Sequence, residues 1–154
     1  MSEGLKAGGL LWVPPIPRLY PVPGLVLVWR EGSGRSGFVI PKGTIEQYET
    51  PRQAAERELL EETGYRAWAG ALLEEIVRPS IDVDSQEKQK RILVFHMHLR
   101  HDILQPDPAI TPDEDARVVT GTDFLQNMRY PQEQLCIARN IGKISAGLIV
   151  PMTN

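Results

Sequence analysis

Cysteine is almost missing from this chain: Cys136 is the only one in 154 residues. No intramolecular disulfide can form, which fits a reducing compartment such as the cytoplasm. Cys136 lies in the apolar run Leu135-Cys136-Ile137-Ala138, so a buried, inert thiol is expected rather than a nucleophile. An excess of positive charge is missing too. The formal net charge is −3, which argues against a general binder of nucleic acid or of membrane surfaces. It leaves room for a local basic pocket facing a phosphorylated small molecule. No apolar stretch approaches the roughly 18 residues of a membrane span. Leu10 to Val13, followed by Pro14-Pro15, is too short for the apolar core of a secretory signal. Internal repeats are absent. With 42% hydrophobic and 24% charged residues, the composition is that of an ordinary globular protein. One domain over residues 1–154 is expected, large enough for a substantial core.

What the chain does contain is a series of short apolar runs broken by proline and glycine. Ala7 to Val13 reads as a first strand. Pro14 to Gly24 holds five prolines and is excluded as a central strand or a helix. Leu25 to Arg30 reads as a buried strand, Glu31 to Gly37 as a loop, and Phe38 to Ile40 as a short strand. Trp68 to Val77 is assigned as a strand and Val77 to Lys90 as a polar loop. Ile92 to Leu99 is the strongest strand signal. Pro106 to Asp115 reads as a loop, Ala116 to Thr120 as a short strand and Gln132 to Ser145 as a helix. Strands with one central and one terminal helix indicate an α/β sandwich.

The central helix is marked at both ends. Thr50 is a candidate N-cap, Pro51 occupies the first helical position and Gln53 completes a capping box. Gly64 is placed to end the helix in a left-handed turn. At 100° per residue, Glu61 lies about −60° and Glu62 about +40° from Glu58, so the three acids share one face roughly 100° wide. Glu56 points nearly opposite. Like charges three and four apart repel, and acids in a last turn face the negative end of the helix dipole. Local preference opposes these residues, which points to a functional site. Hard divalent cations take oxygen ligands and would relieve the repulsion.

The flanking residues extend this pattern. Gly43 is followed by five residues and Glu49, then by seven residues and Arg57-Glu58-Leu59, Leu60, Glu61-Glu62, Thr63, Gly64-Tyr65. This stretch resembles the Nudix box, G-x5-E-x7-R-E-U-x-E-E-x-G-U with U a bulky apolar residue, at every specified position. The resemblance implies a Nudix-type α/β/α sandwich with a mixed sheet. It implies a hydrolase of phosphoanhydrides using Mg²⁺ or Mn²⁺, with Glu58 and Glu62 as metal ligands. Glu61 would be a further ligand or orient the attacking water, and the Gly43 carbonyl would add a ligand. The general base stays unassigned. Glu49 and Arg57 would pair and hold the loop against the helix, and Glu46 would make local hydrogen bonds. Many members supply a glutamate from a late loop, and Glu114, ahead of Val118-Val119, matches that position, although the usual tryptophan is absent.

Substrate contacts are sought among basic residues. Lys42, just before the loop glycine, is a candidate phosphate contact. Lys88, Lys90 and Arg91 would suit a highly anionic ligand. Pro41-Lys42-Gly43 and this basic segment are similar to those of members acting on dinucleoside and diphosphoinositol polyphosphates, so a long polyphosphate is the favoured substrate. Pro79 is the counter-signal, being typical of ADP-ribose pyrophosphatases. The residues are also compatible with a nucleotide-sugar pyrophosphatase, an oxidised nucleoside triphosphate hydrolase or a non-catalytic ligand sensor, and a homodimer is left open. His96 and His98 share one strand face, Arg18 and Tyr20 could cover a base or phosphate, and Trp12, Trp29 and Trp68 are assigned to packing.

Overall fold

The computed structural model describes residues 5–14, 23–32, 35–79, 89–100 and 105–145. Seven strands and two helices run in the order β1 (Leu5–Val13), β2 (Gly24–Arg30), β3 (Gly37–Val39), β4 (Lys42–Thr44), α1 (Pro51–Thr63), β5 (Ala67–Pro79), β6 (Gln89–Leu99), β7 (Asp115–Val119) and α2 (Pro131–Ser145), with a 3-10 turn at Asp123–Asn127 before α2. β1 is the hub. Its Leu5–Leu11 segment pairs with β6 in parallel, Lys6 to Gly8 pair with β4 on the other side, and Trp12 and Val13 pair with β2. β2 carries β3 and β7, and β5 closes the far edge beside β6. All pairings but β1–β6 are antiparallel, so the sheet is mixed.

Both faces of this sheet are buried, which is why its strands read as near-continuous apolar runs. Leu10, Ile92, Val94 and Ile76 face one way and pack with Cys136 and Ile137 of α2. Ala7, Leu11, Phe95 and Met97 face the other way and pack with Ala54, Ala55 and Leu59 of α1. The result is helix, sheet, helix. In α2 the buried stripe is Glu133, Cys136, Ile137 and Asn140, spaced three, one and three apart as one helical face requires. Burial pushes the Cys136 thiol up to about 12, which keeps it protonated and inert. Among the described residues no helix is long and apolar enough to cross a membrane.

The ends of α1 follow the sequence closely. Thr50 accepts from the Gln53 backbone at 3.1 Å and Gln53 accepts in return from the Thr50 N–H at 2.9 Å. Gly64 takes φ 83° and donates to the Leu60 carbonyl. Two regions differ from expectation. β4 has only three residues and no period to read; its pairing with β1 makes it a strand. β5 continues through Pro79 and β6 begins at Gln89, so the ends of the expected Val77–Lys90 loop are strand. Proline is tolerated there because it is the last residue of β5, an edge strand.

Candidate active site

Gly43 opens the site. It sits on β4 opposite Ala7 of β1, directly beneath α1. A Cβ at this position would overlap the carboxyl group of Glu58. Glycine is required here by space alone, because it lets the β4 backbone approach the first acid of the helix.

Arg57 ties the loop to the helix. Its Nε donates to Glu49 Oε2 at 2.6 Å and its Nη2 to Glu49 Oε1 at 3.0 Å, a two-point fork. Nη2 also reaches the Thr44 carbonyl at 3.0 Å, which fixes the strand leading into the loop. Nη1 donates to Glu58 at 2.8 Å and to Glu61 at 3.1 Å. The Glu46 carboxylate lies 3.3 Å from Nε, and its backbone N–H donates to Glu49. One guanidinium thus gathers the acids that would otherwise repel. The Glu49 carboxylate is held below its ordinary range by its hydrogen bond with Arg57.

Glu62 is the buried member of the set, 6% exposed. Burial, and then a hydrogen bond with the Glu58 carboxyl, push it up to about 8, while Lys42 and Arg30 pull the other way. Glu62 is thus a carboxyl group whose negative charge is costly where it sits, one helical turn from Glu58. A hard divalent cation offsets that cost, so these oxygen donors fit Mg²⁺ or Mn²⁺. Glu61 is about half exposed and leans on Arg57. Among the described residues, no three His, Cys, Asp or Glu side chains converge as a preformed cage. The acids are instead partly engaged by Arg57, from which a cation would draw them.

The late loop docks on the same helix end. The Asp113 N–H donates to the Glu61 carbonyl at 2.8 Å, capping a carbonyl that the end of α1 leaves without a helical partner. The next residue, Glu114, binds Arg30 of β2 at 2.7 Å. Arg30 in turn lies within electrostatic reach of Glu62. Arg30 thus pairs directly with Glu114 and acts on Glu62 through its charge.

The basic candidates are placed differently from one another. Lys42 is buried, 7% exposed, and its ammonium is committed to Glu133 of α2 at 2.9 Å and to the Ile40 carbonyl at 3.0 Å. It is no exposed phosphate hook. Its backbone N–H faces Glu62 at 3.4 Å. Arg91 lies on the α1 face of β6 and pairs with Glu75 of β5. Lys90, its neighbour, lies on the α2 face, because successive strand residues alternate. Lys88, Arg18 and Tyr20 fall outside the described residues. His96 and His98 do share a face, with ring centroids 4.2 Å apart. Burial first, and then His98, lower His96 to about 4, so it is neutral. Trp12 and Trp29 pack on the core, whereas Trp68 is about half exposed with Arg100 over its ring.

Four residues near the site carried no motif: Lys6, Arg30, Arg78 and Glu133. Glu133 had a readable signal, because it is the charged member of an otherwise core-facing helical stripe. For Lys90 and Arg91 the signal was alternation along a strand.

A family model, the NUDIX domain, matches residues 18–138. No curated protein matches the sequence significantly. Among solved structures the chain is similar to a NUDIX hydrolase from Nitrosomonas europaea, with TM-score 0.65 and 18% identity over 98% of this chain and 97% of that one. It is similar to a C. elegans Ap4A hydrolase, with TM-score 0.67 and 17% identity over 93% and 98%. The E. coli ORF135 protein is a further likeness, with TM-score 0.61 and 18% identity over 92% and 91%. At these identities the likenesses speak for the fold, while the family model spans most of the chain and the whole box helix. The chain belongs to the Nudix family of phosphoanhydride hydrolases.

Proposed function

We propose that this protein is a metal-dependent pyrophosphohydrolase that cleaves a phosphoanhydride in a nucleoside diphosphate linked to another group, and that its substrate is a long polyphosphate such as a dinucleoside polyphosphate. The observation that carries the metal-dependent reading is the gathering of Glu58, Glu61 and Glu62 at one end of α1, with Gly43 packed against the Glu58 carboxyl group and Glu62 buried beside it. Glu58 and Glu62, with Glu61 and the Gly43 carbonyl, would hold Mg²⁺ or Mn²⁺. When bound, such an ion polarises phosphoryl oxygens and lowers the pKa of bound water. Arg57 and Glu49 keep the acids in register. Glu114, held by Arg30, adds a carboxylate on the late-loop side. Lys90 offers charge to the substrate, and Lys88 is included on its sequence alone. The lone buried Cys136 supports a cytoplasmic location. Pro79, at the end of edge strand β5, stays the signal for the alternative, an ADP-ribose substrate.

The test is hydrolysis of a panel of nucleotides with Mg²⁺, for the wild type and for Glu58→Gln and Glu62→Gln. Each variant should lose about a hundredfold or more in kcat, the scale of losing a main electrostatic contribution. Full activity in EDTA, or in both variants, contradicts the metal reading. Faster cleavage of ADP-ribose than of dinucleoside tetraphosphate contradicts the substrate reading.

A further inference from the structure

The α2 face of the sheet carries an imbalance of charge next to the box acids. Gly8 pairs with Lys42, Lys6 with Thr44 on one side and Ile92 on the other, and Arg78 with Lys90. Residues paired across strands, and residues two apart along a strand, share a face. Lys42, Lys6, Lys90 and Arg78 therefore project from four adjacent strands toward the same side at one end of the sheet. The face is that of Ile92 and Ile76, which pack toward α2.

Beneath them, Lys42 and Arg78 share one carboxylate. Glu133 is fully buried, with Lys42 Nζ at 2.9 Å and Arg78 Nε at 3.7 Å. Arg78 is 5% exposed, stacks on the Tyr130 ring at 3.6 Å and leaves its buried Nε without a hydrogen-bond acceptor. Glu133 is the carboxylate within ion-pair distance of these two cations among the described residues. Among the described residues, two buried cations thus share this one carboxylate, which leaves the floor rich in positive charge. Lys6 and Lys90, both partly exposed, stand at the rim. Burial, followed by Lys90, Lys42, Arg78 and Arg30, holds the Lys6 amine below the ordinary lysine range. Burial is the larger cause, and the four neighbouring cations add to it. The Lys42 backbone joins this floor to Glu62 at 3.4 Å.

We propose that Lys6 and Lys90, over the Lys42–Arg78–Glu133 floor, form a subsite for the phosphates of the substrate beyond the one cleaved, selecting chains of three or more phosphates. Arg78 supplies charge from below, and Lys6 meets the anion directly. The proposal rests on the hydrolase reading above but is tested without catalysis.

Metal-free protein in EDTA is titrated calorimetrically with inorganic tripolyphosphate, and separately with ADP-ribose, which carries two phosphates in a diester. Tripolyphosphate should bind at one site, more tightly than ADP-ribose, and weaken as salt is added. Lys6→Gln should weaken it about tenfold, as for one charge-assisted hydrogen bond. Arg78→Met should abolish binding while leaving the ligand-free fold at least as stable, because Lys42 and Glu133 then balance. A purely structural Arg78 would instead lose stability. If Arg78→Met does not fold, Lys6→Gln decides. Arg100→Gln, at the opposite end of β6, removes equal charge and should change nothing. With Mg²⁺ restored, Lys6→Gln should raise KM for the long substrate with kcat nearly unchanged. Absence of tripolyphosphate binding, or wild-type affinity in Lys6→Gln, overturns the subsite. Either result leaves metal-dependent hydrolysis standing, whereas inactivity toward every nucleotide with intact tripolyphosphate binding would overturn the hydrolase reading alone.

Discussion

Replacing Glu62 by glutamine keeps its shape and removes its charge. The folded chain raises this carboxyl from 4.5 to about 8, by burial first and by its hydrogen bond to Glu58 second. The unfolded chain has no such environment. Between these two values the folded state therefore binds a proton that the unfolded state has released. Stability from this group is fully present below pH 4.5 and is lost as pH rises toward 8. The slope within the window approaches about 1.4 kcal/mol per pH unit, and the whole loss amounts to a few kcal/mol. For a chain of this size each kcal/mol moves Tm by about 2–4 °C. Wild-type protein in EDTA should therefore melt several degrees lower at about pH 8 than at about pH 6. Glu62→Gln should show little of this pH dependence and should exceed the wild type at the higher pH. Saturating Mg²⁺ at the higher pH should raise the wild-type Tm and move Glu62→Gln much less, since a ligand stabilises only the state that binds it. Thermal melts by circular dichroism, at both pH values with and without metal, measure all of this. Equal Tm for metal-free wild type at the two pH values, or an identical response in the variant, would refute the reasoning.

Arg57→Ala should lower stability by about 1–2 kcal/mol and reduce activity, since the fork to Glu49 and the bonds to Thr44, Glu58 and Glu61 go together. A double-mutant cycle with Glu49→Ala, read by urea unfolding, should give a coupling of about 0.5 kcal/mol or more, and additivity would mean that the pair is not acting as one. Gly43→Ala should cut kcat and Mg²⁺ affinity together by forcing the Glu58 carboxyl aside, measurable by titrating activity with metal; unchanged metal affinity would contradict this. Glu133→Gln should destabilise by about 3–5 kcal/mol, because Lys42 and Arg78 then lack their buried counter-charge, and Lys42→Met in the same chain should restore part of the loss. Urea midpoints for the single and double variants decide it.

Much of this molecule was legible along the chain, because the signals are local. The capping box of Thr50 and Gln53, the proline at 51 and the left-handed Gly64 each act within a few residues, and α1 begins and ends where they indicate. Apolar runs of the right length marked β1, β2, β5, β6 and α2. The acids of α1 were conspicuous because they oppose helix preference. Other features depended on partners far away. β4 is a strand only because β1 lies beside it. Lys42 was a candidate phosphate contact by its place before Gly43, yet Glu133, 91 residues later, draws its ammonium inside. The late loop that carries Glu114 docks on α1 because the Asp113 N–H finds a free carbonyl at the helix end. Arg78 and Lys6 became neighbours through the register of β5, β6 and β1, which no single segment encodes. The sequence by itself determined where the acids sit on the helix and how that helix is bounded, since dihedral preference and period are properties of a few consecutive residues. Only the tertiary structure decided which charges meet and which stay dry, because burial and pairing are set by packing between elements distant in the chain.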